Sequence, residues 1–348
     1  MPKVLAAPPD LNALTDEQLF QMRICDLNLH FHGTEMETWI WELYRELGFR
    51  KIRFRPECYL ADEWMCPDRE PVIGIPFFLA HPRLKKLEKK MVLEAEGELK
   101  DDFMSLIRHE CGHAINYAYR LYRKEKWKAI FGDFFKEYPD TYVPHPYSRR
   151  YVRHLDNTYA QYHPDEDFAE TFAVWLTPGS NWREEYQGWP ALEKLEYVDA
   201  LMAQIANREP AQRRGKKYYA AARMQKRLDS YYKKKKEDFA EELPGFYDPD
   251  LKRIFSEEAA HQKNESAAHF LWRKRKELIN AVSRWTGRNK FATNKLLRQL
   301  IDTSTLQHLN LKNDETMTLL DVSSYMATRV MNYLFTGKFR VDHDKRIR

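Results

Sequence analysis

The sequence predicts an α+β fold: a domain with a small sheet and several helices over residues 1–210, a basic linker or helix over 211–243, and an all-α domain over 244–348. Three observations carry this reading. Stretches at Lys51–Leu60 and Pro71–Leu79 have strand character and stand between helical patterns in the first part of the chain. A His-Glu-Cys-Gly-His run at 109–113 lies inside a longer helical pattern. Beyond the break Pro244-Gly245-Phe246-Tyr247-Asp248-Pro249, the periodic stretches have helical spacing.

With 348 residues the chain can bury a large core, or one domain with an appendage. Charged residues make up 31% of it, and no apolar run approaches the length of a bilayer span, which argues against a membrane-spanning class. The first ten residues lack the continuous apolar segment of a secretory signal. Four cysteines, at 25, 58, 66 and 111, form neither a disulfide framework nor a C-x-x-C pair, so a reducing cytoplasm is the expected setting. A net charge of +5 is mild for this size and does not by itself imply nucleic acid.

Taken in order, Thr15 and Gln18 make a capping box that starts a short helix to about Ile24. Asp26–His32 alternates as a strand does, and a helix follows from about Met36 to Leu47. The alternating stretch Lys51–Leu60 leads through a turn near Pro67 and Asp68 into Pro71–Leu79. Pro71, Gly74 and Pro76 confine that second strand to a sheet edge, because proline cannot donate to a ladder. An edge can accept an extended peptide, so Val72, Ile73, Gly74 and Ile75 are candidate substrate-binding residues; the plainer alternative is an edge that proline merely protects. Leu84–Glu98 reads as a solvated, largely helical face.

The next helix, from about Asp102 to Arg123, carries the five-residue run. Ile107, Cys111, Ala114 and Ala118 form its apolar stripe, with His109 and His113 on the opposite face. Two histidines one turn apart can reach one metal ion, and Glu110 stands beside them as a candidate base. Cys111 points into the core. After an aromatic and basic helix through Trp127, Phe131 and Phe134, Pro139–Tyr159 reads as a long ordered loop.

A firm helix runs over 164–176, with proline first and acids in its first turn. Glu166 and Glu170 share a face, and two stacked carboxylates repel unless a cation or donor lies between them. A zinc site supplies both: one carboxylate binds the ion while the next fixes a ligand histidine by its N–H. The plain alternative is that these acids only complement the helix dipole. A metzincin would need histidine or aspartate where Tyr119 stands, whereas His154 and His163 remain open as other third ligands.

These residues resemble the bacterial zinc-binding metallopeptidases of the gluzincin kind and, more distantly, the catalytic domain of anthrax lethal factor. The resemblance rests on the 109–113 helix, on Tyr159-Ala160 followed by Glu166-Asp167-Phe168-Ala169-Glu170-Thr171-Phe172, and on Ile73–Phe77 with Ala80–Arg83; it covers roughly residues 17–206. It implies a zincin fold with Zn2+ held by His109, His113 and Glu166, with Glu110 as general base, Glu170 behind a histidine, and Tyr159 assisting the oxyanion. The expected activity is zinc-dependent hydrolysis of a peptide or protein. Two alternatives stand beside it: hydrolysis of a non-peptide amide, or an inactive zinc-containing interaction protein.

From Arg213 to Lys236 basic residues interleave with tyrosines, a pattern that could bind an acidic protein or nucleic acid but is more often a solvated helical connector. Helices are expected over Ala267–Arg284, Asn289–Asp302 and Val322–Phe335, forming a small bundle that positions substrate or binds a partner.

Overall fold

The Thr15 capping box forms as read: its hydroxyl accepts from the Gln18 N–H, and the Gln18 side chain accepts from the Thr15 N–H. It starts α1 (Asp16–Gln21) in a computed structural model that describes residues 9–139, 145, 148–155, 159–241 and 249–336. The stretch 26–32 is not a strand. Ile24 and Leu27 are buried three residues apart in a 3-10 turn, and Asn28 then turns left-handed at φ 50°, so the apolar phase there is three rather than two. α2 (Glu35–Phe49) follows, one turn longer in total than its expected span.

Of the alternating stretch 51–60, only the end enters a ladder. β1 (Glu57–Ala61) pairs in parallel with β2 (Val72–Pro76), while Ile52 and Phe54 are buried in extended chain outside the sheet. Gly74 on β2 is hemmed in. A Cβ there would meet Met65 Cγ at 2.7 Å and the Ala61 side chain at 2.9 Å. Both backbone groups of Gly74 are engaged by Met65, at 2.8 and 3.2 Å, and Val72–Pro76 are all buried. An incoming peptide therefore does not find a free edge at Val72, Ile73, Gly74 and Ile75, and the substrate-strand expectation is corrected accordingly.

α3 (Pro82–Val92) buries Leu84, Leu87 and Val92 and ends before the expected limit. α4 (Lys100–Ala118) then carries the His-Glu-Cys-Gly-His run and stops short of Arg123, because Arg120 turns left-handed at φ 53° and a 3-10 turn follows. α5 (Glu125–Phe131), α6 (Pro164–Leu176), α7 (Trp182–Glu185) and α8 (Ala191–Ile205) complete this part. α6 is buried along its whole length, packed against α4 on one side and α8 on another. Part of the expected 139–159 loop lies outside the described residues.

The basic run is helical only from Leu228, where α9 (Leu228–Glu241) begins. Before that it returns to the N-terminal segment, where Lys226 and Met224 carbonyls accept from Ile24 and Cys25 and the Leu228 N–H donates to Met22. Arg213, Lys217 and Arg227 pair with Glu209, Glu57 and Asp229. Tyr231 and Tyr232 are buried, so neither ring can stack on a base. Part of the run is thus engaged by the fold, and an acidic or nucleic-acid partner for it is not carried forward.

Contacts divide the chain into two units, residues 1–90 with 95–231, and 91–94 with 232–348. In the second, β3 (Phe255–Ser256) precedes α10 (Ala267–Arg273), α11 (Arg275–Thr286) and α12 (Lys290–Leu306). β4 (Asn310–Leu311), antiparallel to β3, leads into α13 (Glu315–Thr336). Lys274 divides what the sequence presents as one helix over 267–284, and Gly287 in the left-handed conformation ends the second piece. These helices enclose their own core, which includes Phe255, Phe270, Leu278, Leu296, Leu300 and Val330. Residues 244–248 of the expected break lie outside those described. The fold is mostly helical with little sheet, and no helix among the described residues is long and apolar enough to cross a membrane.

Candidate metal centre

α4 and α6 cross with almost no side-chain layer between them at Gly112. A Cβ there would stand 2.8 Å from the Ala169 Cα and 3.0 Å from its carbonyl oxygen, so only glycine permits this approach. The residues flanking that contact are His109 and His113 on α4, and Glu166 and Glu170 on α6.

His109 Nε2 lies 3.1 Å from Glu166 Oε2, His113 Nε2 lies 3.2 Å from the same oxygen, and the two Nε2 atoms are 3.1 Å apart. The opposite edges of both rings are committed. His109 Nδ1–H donates to Glu170 Oε1 at 2.7 Å, and His113 Nδ1–H donates to Asp165 Oδ2 at 2.9 Å, since a carboxylate at these places can only accept. Three lone-pair atoms therefore converge on one point. Only protons or a metal cation relieve their repulsion, and a tetrahedral ion at about 2 Å from each donor spaces its ligands by roughly 3.3 Å. His109, His113 and Glu166 form a buried group that could hold a metal ion, and two imidazoles with one carboxylate are a donor set suited to zinc.

The electrostatics lead the same way. Burial alone lowers the pKa of His109, but hydrogen bonds to Glu166 and Glu170 outweigh it and carry the group up to about 9. For His113 burial is likewise overcome, by Asp165 and Glu166, and its pKa goes well above the ordinary value. Burial raises Glu166, yet the two histidines hold it well below the usual carboxylate range. The surrounding carboxylates thus favour positive charge at the point where the three donor atoms meet.

The supporting contacts include two residues that sequence reasoning missed. Asp165 also accepts from Asn116 Nδ2 at 2.7 Å and from the Tyr117 hydroxyl, so it serves His113 as Glu170 serves His109. Its signal was present: the acid immediately before the expected ligand lies in the same first turn. Tyr138 donates to Glu166 Oε1 at 3.1 Å while stacking on the His163 ring at 3.9 Å, and a tyrosine in an irregular segment carries no such signal. Glu170 additionally accepts from the Leu155 N–H at 3.1 Å, which ties the 148–155 segment to the site.

Neither alternative histidine joins the centre. His163 caps α6, accepting from the Asp165 N–H, and donates from Nε2 to the Lys136 carbonyl. His154 donates from Nε2 to the Ser105 carbonyl. Cys111 is a fully buried thiol whose pKa burial pushes well up. Glu110 is buried, its pKa raised chiefly by that burial, and its carboxylate has no hydrogen-bond partner among the described residues. The Tyr159 ring lies 5.5 Å from that of His109, and its hydroxyl is likewise unpartnered among them.

The arrangement is a buried two-helix His-His-Glu group that could hold a metal ion. Residues 85–186, from within α3 to just past α7, match the model of the family described as "Putative zinc-binding metallo-peptidase", a segment that contains all three candidate ligands. No curated protein and no solved structure matches the chain.

Proposed function

We propose that the protein is a zinc-dependent peptide hydrolase of zincin-like, gluzincin type, with His109, His113 and Glu166 as ligands and Glu110 as general base. The observation that carries this is the convergence of three lone pairs beside a buried carboxylate that has no hydrogen-bond partner among the described residues. Zinc held there would supply a Lewis acid and lower the pKa of a neighbouring water.

The chain's own groups do the rest. Glu110 takes a proton from the attacking water and delivers it to the leaving amine; its raised pKa brings it nearer the range where both steps are efficient. The free Tyr159 hydroxyl donates toward the oxygen that gains charge, where burial lends a hydrogen bond extra strength. Glu170 and Asp165 hold the histidine tautomers, and Tyr138 occupies the second oxygen of Glu166.

Metal analysis with peptide-library cleavage, on wild type and Glu110→Gln, tests the reading. Zinc in both proteins with cleavage by wild type alone is the expected result. Wild-type protein without zinc would overturn the site, and zinc without cleavage of any peptide would favour a non-peptide amide or an inactive zinc protein.

A further inference from the structure

The C-terminal end of α4 opens onto a cleft of about 680 Å³, bordered by Arg69, Arg120, Arg123, Tyr122, Tyr218 and Tyr219. Its charges are unevenly committed. Of the two acids in the wall, Asp68 pairs with Arg69 at 2.8 Å, and Glu70 accepts from the Lys216 N–H at 2.9 Å. The Arg120 and Arg123 guanidiniums are exposed and face no carboxylate among the described residues; Arg123 only leans over the Tyr122 ring.

A second observation is independent of charge. Arg69, Arg120 and Tyr219 all have left-handed backbones, at φ 57°, 53° and 50°. L-residues with side chains avoid that region, and such strain collects where a side chain must be aimed at a ligand. Here three strained residues from separate parts of the chain border one cleft.

The cleft lies past the C-terminal end of α4, the helix that carries His109 and His113, and its wall packs against a residue that supports the metal centre. Tyr117, whose hydroxyl donates to Asp165, has its ring 6.3 Å from that of Tyr122 in the cleft wall. Arg120 follows His113 by about two helical turns, roughly 10 Å along the axis, a distance that about three residues of extended peptide cover.

We infer that this cleft is a subsite for a carboxylate of the peptide substrate, bound by Arg120 and Arg123 roughly three residues from the bond that is cut. Guanidinium forks match a carboxylate in geometry, and the exposed tyrosines provide a wall for the peptide's apolar part. The inference rests on the peptidase reading. The carboxylate comes from an acidic side chain or from a free C-terminus.

The test uses the full-length, zinc-loaded Glu110→Gln protein and fluorescent peptides that differ by Glu against Gln at each position, each with a free or an amidated C-terminus. Fluorescence anisotropy at low salt should show about tenfold tighter binding of one acidic peptide, or of the free-ended set, which separates the two sources. Adding Arg120→Gln with Arg123→Gln should bring that ratio to about one, with neutral-peptide affinity, zinc content and melting temperature unchanged. Arg120→Gly keeps the left-handed turn without strain and should lose much of the preference, which separates the charge from the fold. The control Arg183→Gln on α7 should leave the ratio intact.

Peptides that bind with no preference for a carboxylate, or a preference that survives the double variant, overturn the cleft assignment alone. Failure of every peptide to bind overturns both this inference and the peptidase reading.

Discussion

Gly112→Ala isolates the contact on which the metal centre is built. The added methyl would sit 2.8 Å from the Ala169 Cα, 3.0 Å from its oxygen and 3.3 Å from its carbonyl carbon, where ordinary contact begins at 3.4 Å. All three atoms are backbone, so no rotamer change relieves the clash, and α4 and α6 must part by about 0.6 Å, the difference between 3.4 and 2.8 Å. Overpacking of this kind costs about 1–3 kcal/mol. Alanine in place of helical glycine returns about 0.5–1 kcal/mol, leaving a net loss of about 0–2.5 kcal/mol. The ligands suffer more than the fold. His109 and His113 ride on one helix and Glu166 on the other, and metal–ligand distances tolerate only about 0.2 Å. Zinc affinity should therefore fall by about 10- to 100-fold, the range seen when a ligand loses its support. Chelator competition gives the affinity and circular dichroism the melting temperature. Gly48→Ala on α2 is the control, since its methyl would meet only the end of the Arg55 side chain, at 3.2 Å. Wild-type zinc affinity in Gly112→Ala would refute the claim that this close approach sets the ligand geometry.

Asp165→Asn removes the charge behind His113 and should weaken zinc about 10- to 100-fold, measured by the same competition, with the helices intact by circular dichroism. Tyr138→Phe frees Glu166 Oε1; the visible spectrum of the cobalt-substituted protein should change as the carboxylate shifts its mode of binding, and an unchanged spectrum would remove Tyr138 from the site. In the second unit, Arg273 and Lys274 hydrogen-bond Glu315 and bring its pKa down to about 2. A depressed carboxylate stabilises above its unfolded value and loses that contribution as pH falls. Glu315→Gln should therefore melt below wild type at pH 6, with the difference shrinking between pH 4.5 and 2; a constant difference would refute the ion-pair account.

What the sequence made legible followed from short-range chemistry. Histidines four apart on a helix, and glutamates four apart on another, announce shared faces without any knowledge of the fold. Two stacked carboxylates need a cation or a donor between them, which in sequence puts Glu170 behind a ligand histidine; the fold makes that histidine His109, and Asp165 plays the same part for His113. Residues in irregular chain were harder. Tyr138 reaches Glu166 through a segment with no periodicity, and its role depends on the stacking with His163. The substrate edge at Val72–Ile75 failed for a long-range reason, because Met65 folds back to occupy both backbone groups of Gly74, and nothing local to β2 encodes that. The basic run shows both cases: Arg213 and Arg227 pair with acids close by in sequence, Glu209 and Asp229, whereas the partner of Lys217, Glu57, is brought to it only by the fold.

Four carboxylates, Glu110, Asp165, Glu166 and Glu170, crowd two imidazoles in a buried space, and the N-terminal turn of α6 offsets only part of that charge. Such a centre requires positive charge to remain folded, so removing metal should cost stability where the centre lies and nowhere else. A ligand that binds only the folded form adds about 2.7 kcal/mol at a hundredfold excess over its dissociation constant. For a unit of this size that corresponds to about 5–11 °C of melting temperature. The second unit has its own core around Phe255, Phe270 and Leu300, and no metal-ligand group was found there among the described residues. Calorimetry with and without a chelator should therefore show one transition moving down by several degrees while another stays in place. A shift of equal size in both transitions would show that the two units do not melt independently, and no shift in either would show that the three converging ligands hold protons rather than a metal ion.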